Sequence, residues 1–307
     1  MTAELLAIFI ASSIRLAAPL IFAAVGELVS ERAGVLNLSL EGMMLAAAFG
    51  GALGAFVTGS PWVGLLTGVL FAVVVSAVQA VFSVSLRANQ IVVGIGINIV
   101  VLGATTVASR GIFGRDPGFS IEGFGKLNFE PLSNLPILGT ALFQQTGLVY
   151  LAPVLALLVW WLLYRSTAGI AIRAAGDEPK AADKSGVAVP RIRWLAILFT
   201  GILAGFGGAI YSIADIHSFT ENMTGGVGYL AIAAVIFGRW RVLGTFVACL
   251  VFGAATSLQF QLPAMGIALV PVALLVMLPY ALALLAVSGL VGRQSPPRAL
   301  TIPFFRR

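Results

Sequence analysis

The sequence predicts an all-α fold: a polytopic transmembrane helical bundle of about nine spans, one of them short or broken. Three observations predict it. The chain of 307 residues is 59% hydrophobic and only 10% charged, whereas a soluble domain carries about 25% charged residues. Its mean hydropathy is +1.03. Its apolar runs reach about 20 residues and are apolar on every side, as helices solvated by hydrocarbon must be.

In chain order the runs fall at about 5–26, 37–58, 62–83, 91–109, 146–164, 194–213, 226–238, 242–260 and 266–290. Most are long enough to cross about 30 Å of hydrocarbon at 1.5 Å per residue. The run at 226–238 is too short and reads as a half-helix, a re-entrant segment, or a span that begins earlier near Thr220. Residues 1–307 read as a single membrane domain. The opening MTAELLAIFI places Glu4, and no basic cluster, before the first run, so that run is expected to stay as a membrane helix. Residues 110–145, with Pro117, Pro131 and Pro136, read as an irregular outer cap.

Orientation follows from the basic residues. The connection 165–193 carries Arg165, Arg173, Lys180, Lys184, Arg191 and Arg193 and is placed in the cytoplasm. Alternation then puts Arg32, Arg87, Arg239, Arg241, Arg293, Arg298, Arg306 and Arg307 inside as well. Only Arg110, Arg115 and Lys126 fall outside, so the C-terminus is expected in the cytoplasm and the N-terminus outside. The net charge of +6 thus belongs to connections at a membrane surface and does not point to nucleic acid. One cysteine, Cys249, and one histidine, His217, exclude a disulfide framework and a His/Cys metal site. No phosphate-binding G-x-x-x-x-G-K-[ST] run occurs, and no nucleophile–base pair stands out, so an enzyme and a resident cofactor are not expected.

The connection RSTAGIAIRAAGDEPKAADKSGVAVPRIR, residues 165–193, is too polar to span. Asp177 or Glu178 suits a helix N-cap, Pro179 its first turn, Lys184 its last turn and Gly186 the position just beyond it. The expectation is a helix of about two turns across 177–186, with Ala181 and Ala182 forming a small, smooth face. Such a helix is either a rigid docking element for a soluble partner or an ordinary solvated loop helix.

Three stretches then carry a resemblance. Gly169, Arg173, Ala174, Gly176, Pro179, Ala181, Ala182, Gly186, Val187, Val189 and Arg191 form a pattern similar to the cytoplasmic loop of ABC-importer permeases of the ribose and nucleoside class, which includes the simple-sugar and branched-chain amino-acid types. Residues 26–44, GELVSERAGVLNLSLEGMM, and 221–244, ENMTGGVGYLAIAAVIFGRWRVLG, resemble the two signatures of its nucleoside-type branch. The resemblance implies that the loop couples to a cytoplasmic ABC ATPase through Gly169, Arg173, Gly176, Asp177, Glu178, Pro179, Ala181, Ala182 and Gly186. It also implies a second permease subunit, a paralogue forming a heterodimer, together with an extracytoplasmic substrate-binding lipoprotein. The setting is the bacterial plasma (inner) membrane, and ATP hydrolysis lies on the separate subunit. The start of the chain close to the first signature resembles the shorter of such paired permeases. The solute would be a nucleoside or a simple sugar.

Polar groups inside the spans need a reason, because hydrocarbon offers them no partner. Asn37 and Glu41, four apart, would share a helical face after a break at Gly34. Either they line or gate the path, or Glu41 lies near the cytoplasmic interface and is satisfied by Arg32 or water. Asn98 bonds either the solute or a neighbouring helix, while Gln79 suits helix–helix bonding. Arg15 either snorkels or pairs with a carboxylate. Asp215, His217, Glu221 and Asn222 read as an outer loop, and the tryptophans near span ends read as an interfacial belt. The alternative to an ATP-driven permease is an ion-coupled secondary transporter, for which Glu41 is the one fair coupling carboxylate.

Overall fold

A computed structural model of the chain describes residues 3–114, 119–130, 132–135, 138–264, 271–288 and 295–305. Arg115, Pro117, Pro131, Pro136, the two ends of the expected span 266–290, and Arg293, Arg306 and Arg307 lie outside the described residues. The chain is a polytopic bundle of helices: α1 (Ala3–Arg32), α2 (Leu40–Thr58), α3 (Pro61–Ala80), α4 (Gln90–Ile112), the short α5 (Leu138–Leu142), α6 (Gly147–Arg165), α7 (Thr167–Asp177), α8 (Pro179–Lys184), α9 (Val189–Ile210), α10 (Val227–Phe237), α11 (Val242–Ala264) and α12 (Val272–Val287). Among the described residues, 7 helices are long and apolar enough to cross a membrane. The shorter apolar α10 and α12 fall where the seventh and ninth runs were expected.

Local chemistry places the boundaries. Gly59 ends α2 with φ of +65°, and Pro61 opens α3, where its missing N–H is no loss. The Asn89 side chain caps α4 by accepting from the N–H groups of Ile91 and Val92 at 3.0 and 3.3 Å. Helices α3 and α9 each run on into a π turn, Val81–Ser85 and Tyr211–Ile216. The break after α1 turns on Gly34, whose φ of +89° glycine adopts at no steric cost.

The bundle is built on α1 and α9. Helix α9 packs on α1, α2 and α3, while α1 also meets α6, α10 and α11. Small residues allow the close approach: a Cβ at Gly205 would lie 2.7 Å from the Cα of Val69, so α9 and α3 nearly touch by their backbones. Helix α4 stands at the edge, mainly against α2, and exposes Val92, Ile99, Val100 and Val107, the surface expected of a helix facing hydrocarbon.

Two expectations need correction here. The connection 165–193 holds two helices, not one, because 167–177 forms the amphipathic α7, too polar to span yet with Gly169, Ile172, Ala175 and Gly176 buried. Trp240 does not belong to an interfacial belt. It is 3% exposed, and its indole N–H donates to the Glu31 carboxylate.

Candidate functional site

Helix α2 begins at Leu40, so Asn37 lies in the broken segment and does not share a helical face with Glu41. Asn37 is fully buried. Its N–H donates to Glu27 Oε1 at 2.8 Å, its Oδ1 accepts from Ser39 Oγ at 2.7 Å, and its Nδ2 points at Met43 Sδ, 3.5 Å away. Asn37 therefore organises the break and does not line the cavity described below.

The Glu41 carboxylate does not meet Arg32. It accepts from Thr224 Oγ1 at 2.5 Å, Gly226 N at 2.9 Å and Gly228 N at 2.7 Å. These donors surround the start of α10. Helix N-termini carry unpaired N–H groups and partial positive charge, and Gly226 has no side chain with which to cap. Glu41 caps α10 from the neighbouring helix. Arg32 instead donates to the carbonyl of Trp240, beyond the other end of α10, through Nε at 2.9 Å. Helix α10 has 11 residues, hence a length of about 16 Å, roughly half the hydrocarbon thickness. Glu41 and Arg32 are thus separated by about that length, and Glu41 is 7% exposed.

Asn98 joins three pieces of chain. Its Oδ1 accepts from Gly42 N at 2.8 Å, and its Nδ2 donates to Leu38 O and to the Tyr229 hydroxyl, both at 2.8 Å. Glu41, Gly42, Leu45, Asn98, Asn222 and Tyr229 contribute to the wall of a cavity of about 250 Å³. Glu41 and Asn98 are both held by protein donors and acceptors, so they shape this wall more than they offer it free groups. Tyr229 is different. It is 43% exposed, its oxygen accepts from Asn98, and its own hydrogen is left to donate. Residue-type reasoning missed it, although it sits within the second signature stretch.

A larger cavity of about 630 Å³ lies behind the 222–227 turn, with Arg15, Tyr211, Asp215, Thr224, Gln261 and Tyr280 in its wall. Of the two readings of Arg15, the structure selects pairing: its Nε lies 3.4 Å from Asp215 Oδ1. Glu221 pairs with Arg110 at 2.6 Å. Gln79 bonds along its own helix line to Ser83 Oγ at 2.9 Å, not to another helix. Two carboxylates passed over in the sequence, Glu27 and Glu31, are fully buried on α1, one turn apart. The signal was in GELVSER itself, where the first run continues past its expected end.

At the connection 165–193, Ser166 Oγ caps α7 by accepting from Gly169 N at 3.0 Å. Arg173 turns back, with Nε 3.3 Å from Gly169 O and its guanidinium 5.8 Å from the centre of the Tyr164 ring. A Cβ at Gly176 would overlap the carbonyl oxygen of Arg32, so this glycine permits α7 to lie on the end of α1. Glu178 is the N-cap residue of α8, although its side chain makes no capping bond, and Pro179 follows at the first position. Gly186, with φ of +90°, ends α8 in a paired closure: Val187 N donates to Ala182 O and Gly186 N to Asp183 O, both at 3.0 Å. The two alanines part company. Ala181 is exposed, but Ala182 is 5% exposed and packs with Ala175 and Val189. The expected face of Ala181 and Ala182 is therefore wrong. With Ala182 turned inward, the open face of α8 consists of Lys180, Ala181 and Lys184.

A family model described as branched-chain amino acid transport system / permease component matches residues 9–287. The guanosine ABC transporter permease protein NupQ of Bacillus subtilis is 34% identical over 314 residues, covering 99% of this chain and 98% of that protein. The nucleoside ABC transporter permease protein NupC of Lactococcus lactis is 36% identical, over 96% of this chain and 95% of that protein. The putative glucose ABC transporter permease protein TsgC13 of Haloferax volcanii is 38% identical, over 85% of this chain and 79% of that protein. No solved structure matches the chain.

Proposed function

The chain belongs to the branched-chain amino acid transport system / permease component family, and from that premise we propose that it is the membrane-spanning permease of an ATP-binding-cassette importer for a small neutral polar solute. The observation that carries the reading is the near full-length match to permeases named for guanosine and nucleosides. A nucleoside is the preferred solute. A simple sugar comes second, since the glucose-named relative matches over less of its length. ATP is hydrolysed on a separate cytoplasmic subunit, and a paralogous second permease and an extracytoplasmic binding lipoprotein complete the importer. The chain sits in the bacterial plasma membrane with α7, α8 and the C-terminus in the cytoplasm.

The solute passes the cavity bounded by Glu41, Asn98 and Tyr229, where two interruptions meet, the break between α1 and α2 and the turn before α10. Irregular backbone at this depth is tolerated where it lines a cavity. A Tyr229 hydroxyl with a free hydrogen suits a hydroxyl or carbonyl oxygen of the solute. Tyr229→Phe is expected to raise the KM for uptake about three- to tenfold, the loss of one hydrogen bond of about 1 kcal/mol. The unfolding temperature should fall only modestly, because Asn98 Nδ2 loses the Tyr229 oxygen and keeps Leu38 O. An unchanged KM would remove Tyr229 from the path.

The coupling surface is the open face of α8. Ala181→Arg is expected to leave the chain folded and inserted while cutting recovery of the ATPase subunit at least tenfold, as a charged bulk at a packed contact does. Ala182→Arg, by contrast, is expected to destabilise the purified chain itself, because its side chain would enter the packing with Ala175 and Val189. Equal effects of both variants on thermal stability would refute this assignment of faces.

Uptake into liposomes decides the function as a whole. Chain co-purified with its native partners should take up guanosine or glucose only with ATP. Glu27 and Glu31, buried on α1, are the carboxylates an ion-coupled carrier would use, and they favour that as the second reading. Uptake by the chain alone on an ion gradient, without ATP, would establish it.

A further inference from the structure

Residues 295–305 fold back across the end of the bundle that carries α7 and α8. Pro297 and Ala299 are buried. The Ala299 N–H donates to Gly176 O at 2.8 Å, joining the segment to α7. Arg193, at the start of α9, is 3% exposed. Its Nε donates to Ala33 O at 3.2 Å and its Nη1 to Ile302 O at 2.8 Å. One buried guanidinium thus ties the break between α1 and α2 to the segment. Further on, Phe304 packs against the cluster of Ala175, Ala182 and Val189, to which α7, α8 and α9 each contribute one residue. Arg87 lies 4.8 Å above the Phe305 ring and holds the far end to the connection between α3 and α4. The Arg298–Glu178 pair at 3.1 Å is exposed and adds little.

A segment that merely trailed into solvent would not supply its backbone to buried groups. A buried guanidinium is costly unless its donors are satisfied, and Ile302 satisfies one of them. The three attachments also reach three particular places: α7 at Gly176, the small cluster that α8 shares through Ala182, and, by way of Arg193, the break at Ala33. The break leads directly into the cavity wall at Glu41 and Gly42. The open face of α8, with Lys180, Ala181 and Lys184, is left clear.

We propose that segment 295–305 is a positioning strap: it makes α7, α8 and the break between α1 and α2 move as one body, so that a push on α8 reaches the cavity. This rests on the transport reading above for its consequence, though not for its geometry. Rigid transmission needs a packed, hydrogen-bonded path between the two places, and here the path runs from α8 through the cluster of Ala175, Ala182 and Val189 to Phe304, Ile302, Arg193 and Ala33. Phe304 and Arg193 are the positioning residues.

The test compares full-length chain with a chain ending at Gln294 and with Phe304→Ala, each in lipid nanodiscs without the ATPase. Amide deuterium exchange over 178–187 is expected to rise about tenfold in both variants, as a local opening does. Labelling of the buried Cys249, which reports global unfolding, should stay at the wild-type rate. In the assembled importer, transported solute per ATP should fall about threefold or more with ATP hydrolysis retained. Unchanged exchange over 178–187 in Phe304→Ala overturns the strap, as does an unchanged ratio of solute to ATP. Should the shortened chain fail to insert, Phe304→Ala decides alone. Failure of the transport reading shows elsewhere, as a lack of ATP-driven uptake by the full-length chain, and the exchange result stands apart from it.

Discussion

Glu41→Ala is expected to destabilise the chain by about 3 kcal/mol or more and to abolish uptake. The carboxylate accepts from Thr224 Oγ1, Gly226 N and Gly228 N, and Glu41 is 7% exposed. Alanine would leave two backbone N–H groups and a hydroxyl without that acceptor, and each such group costs about 1–3 kcal/mol. The start of α10 would also lose the negative charge that faces its dipole. Glu41→Gln should fall between wild type and alanine, because an amide offers one acceptor oxygen where the carboxylate offers two. The sole cysteine supplies the measurement. Cys249 is buried, so its labelling rate by a thiol-reactive dye during heating follows unfolding. Labelling and uptake at wild-type values in Glu41→Ala would show that α10 is held by other contacts.

Gly176→Ala is the second large effect. The added Cβ would overlap the carbonyl oxygen of Arg32 and come 3.1 Å from Gly34 N. The obstacle is backbone, not the end of a flexible side chain, so α7 must shift away from the end of α1. Overpacking of this kind costs about 1–3 kcal/mol, and the shift would also pull Gly176 O from the N–H of Ala299. The expected result is a chain that still inserts but recovers its ATPase subunit poorly and transports at under about a tenth of the wild-type rate. Gly186→Ala is the control. Gly186 has φ of +90° and nothing within 4 Å of an added Cβ, so only backbone strain of about 1–2 kcal/mol at the end of α8 is at stake. Wild-type recovery and transport in Gly176→Ala would mean that contact between α7 and α1 is dispensable.

The seven long apolar helices among the described residues were legible in the sequence because hydrocarbon thickness sets a minimum length and excludes charge, a demand independent of how the helices later pack. The chain breaks at Gly34 and Gly186 were legible for a local reason, since glycine adopts positive φ without cost and both positions use it. The shortness of α10 was visible as a short apolar run. The resemblance to importer permeases rested on three stretches read directly from the chain, and the family match over residues 9–287 agrees with it.

Tertiary structure decided which groups face which. Lipid is as apolar as the protein interior, so a membrane helix has no sequence stripe marking its inner side, and burial cannot be read from periodicity. For that reason Glu27, Glu31 and Trp240 emerged as buried, Tyr229 as a wall residue, and Ala182 as packed beneath an exposed Ala181. The partners of polar groups were hidden for a related reason. Glu41 is 183 residues from Thr224, Asn98 is 131 from Tyr229, and Arg193 is 109 from Ile302. Residue type shows that a buried carboxylate, amide or guanidinium must find a partner. Only the packing of α1 and α9 with their neighbours determines that the partners are the start of α10, the wall of the cavity and the strap at 295–305.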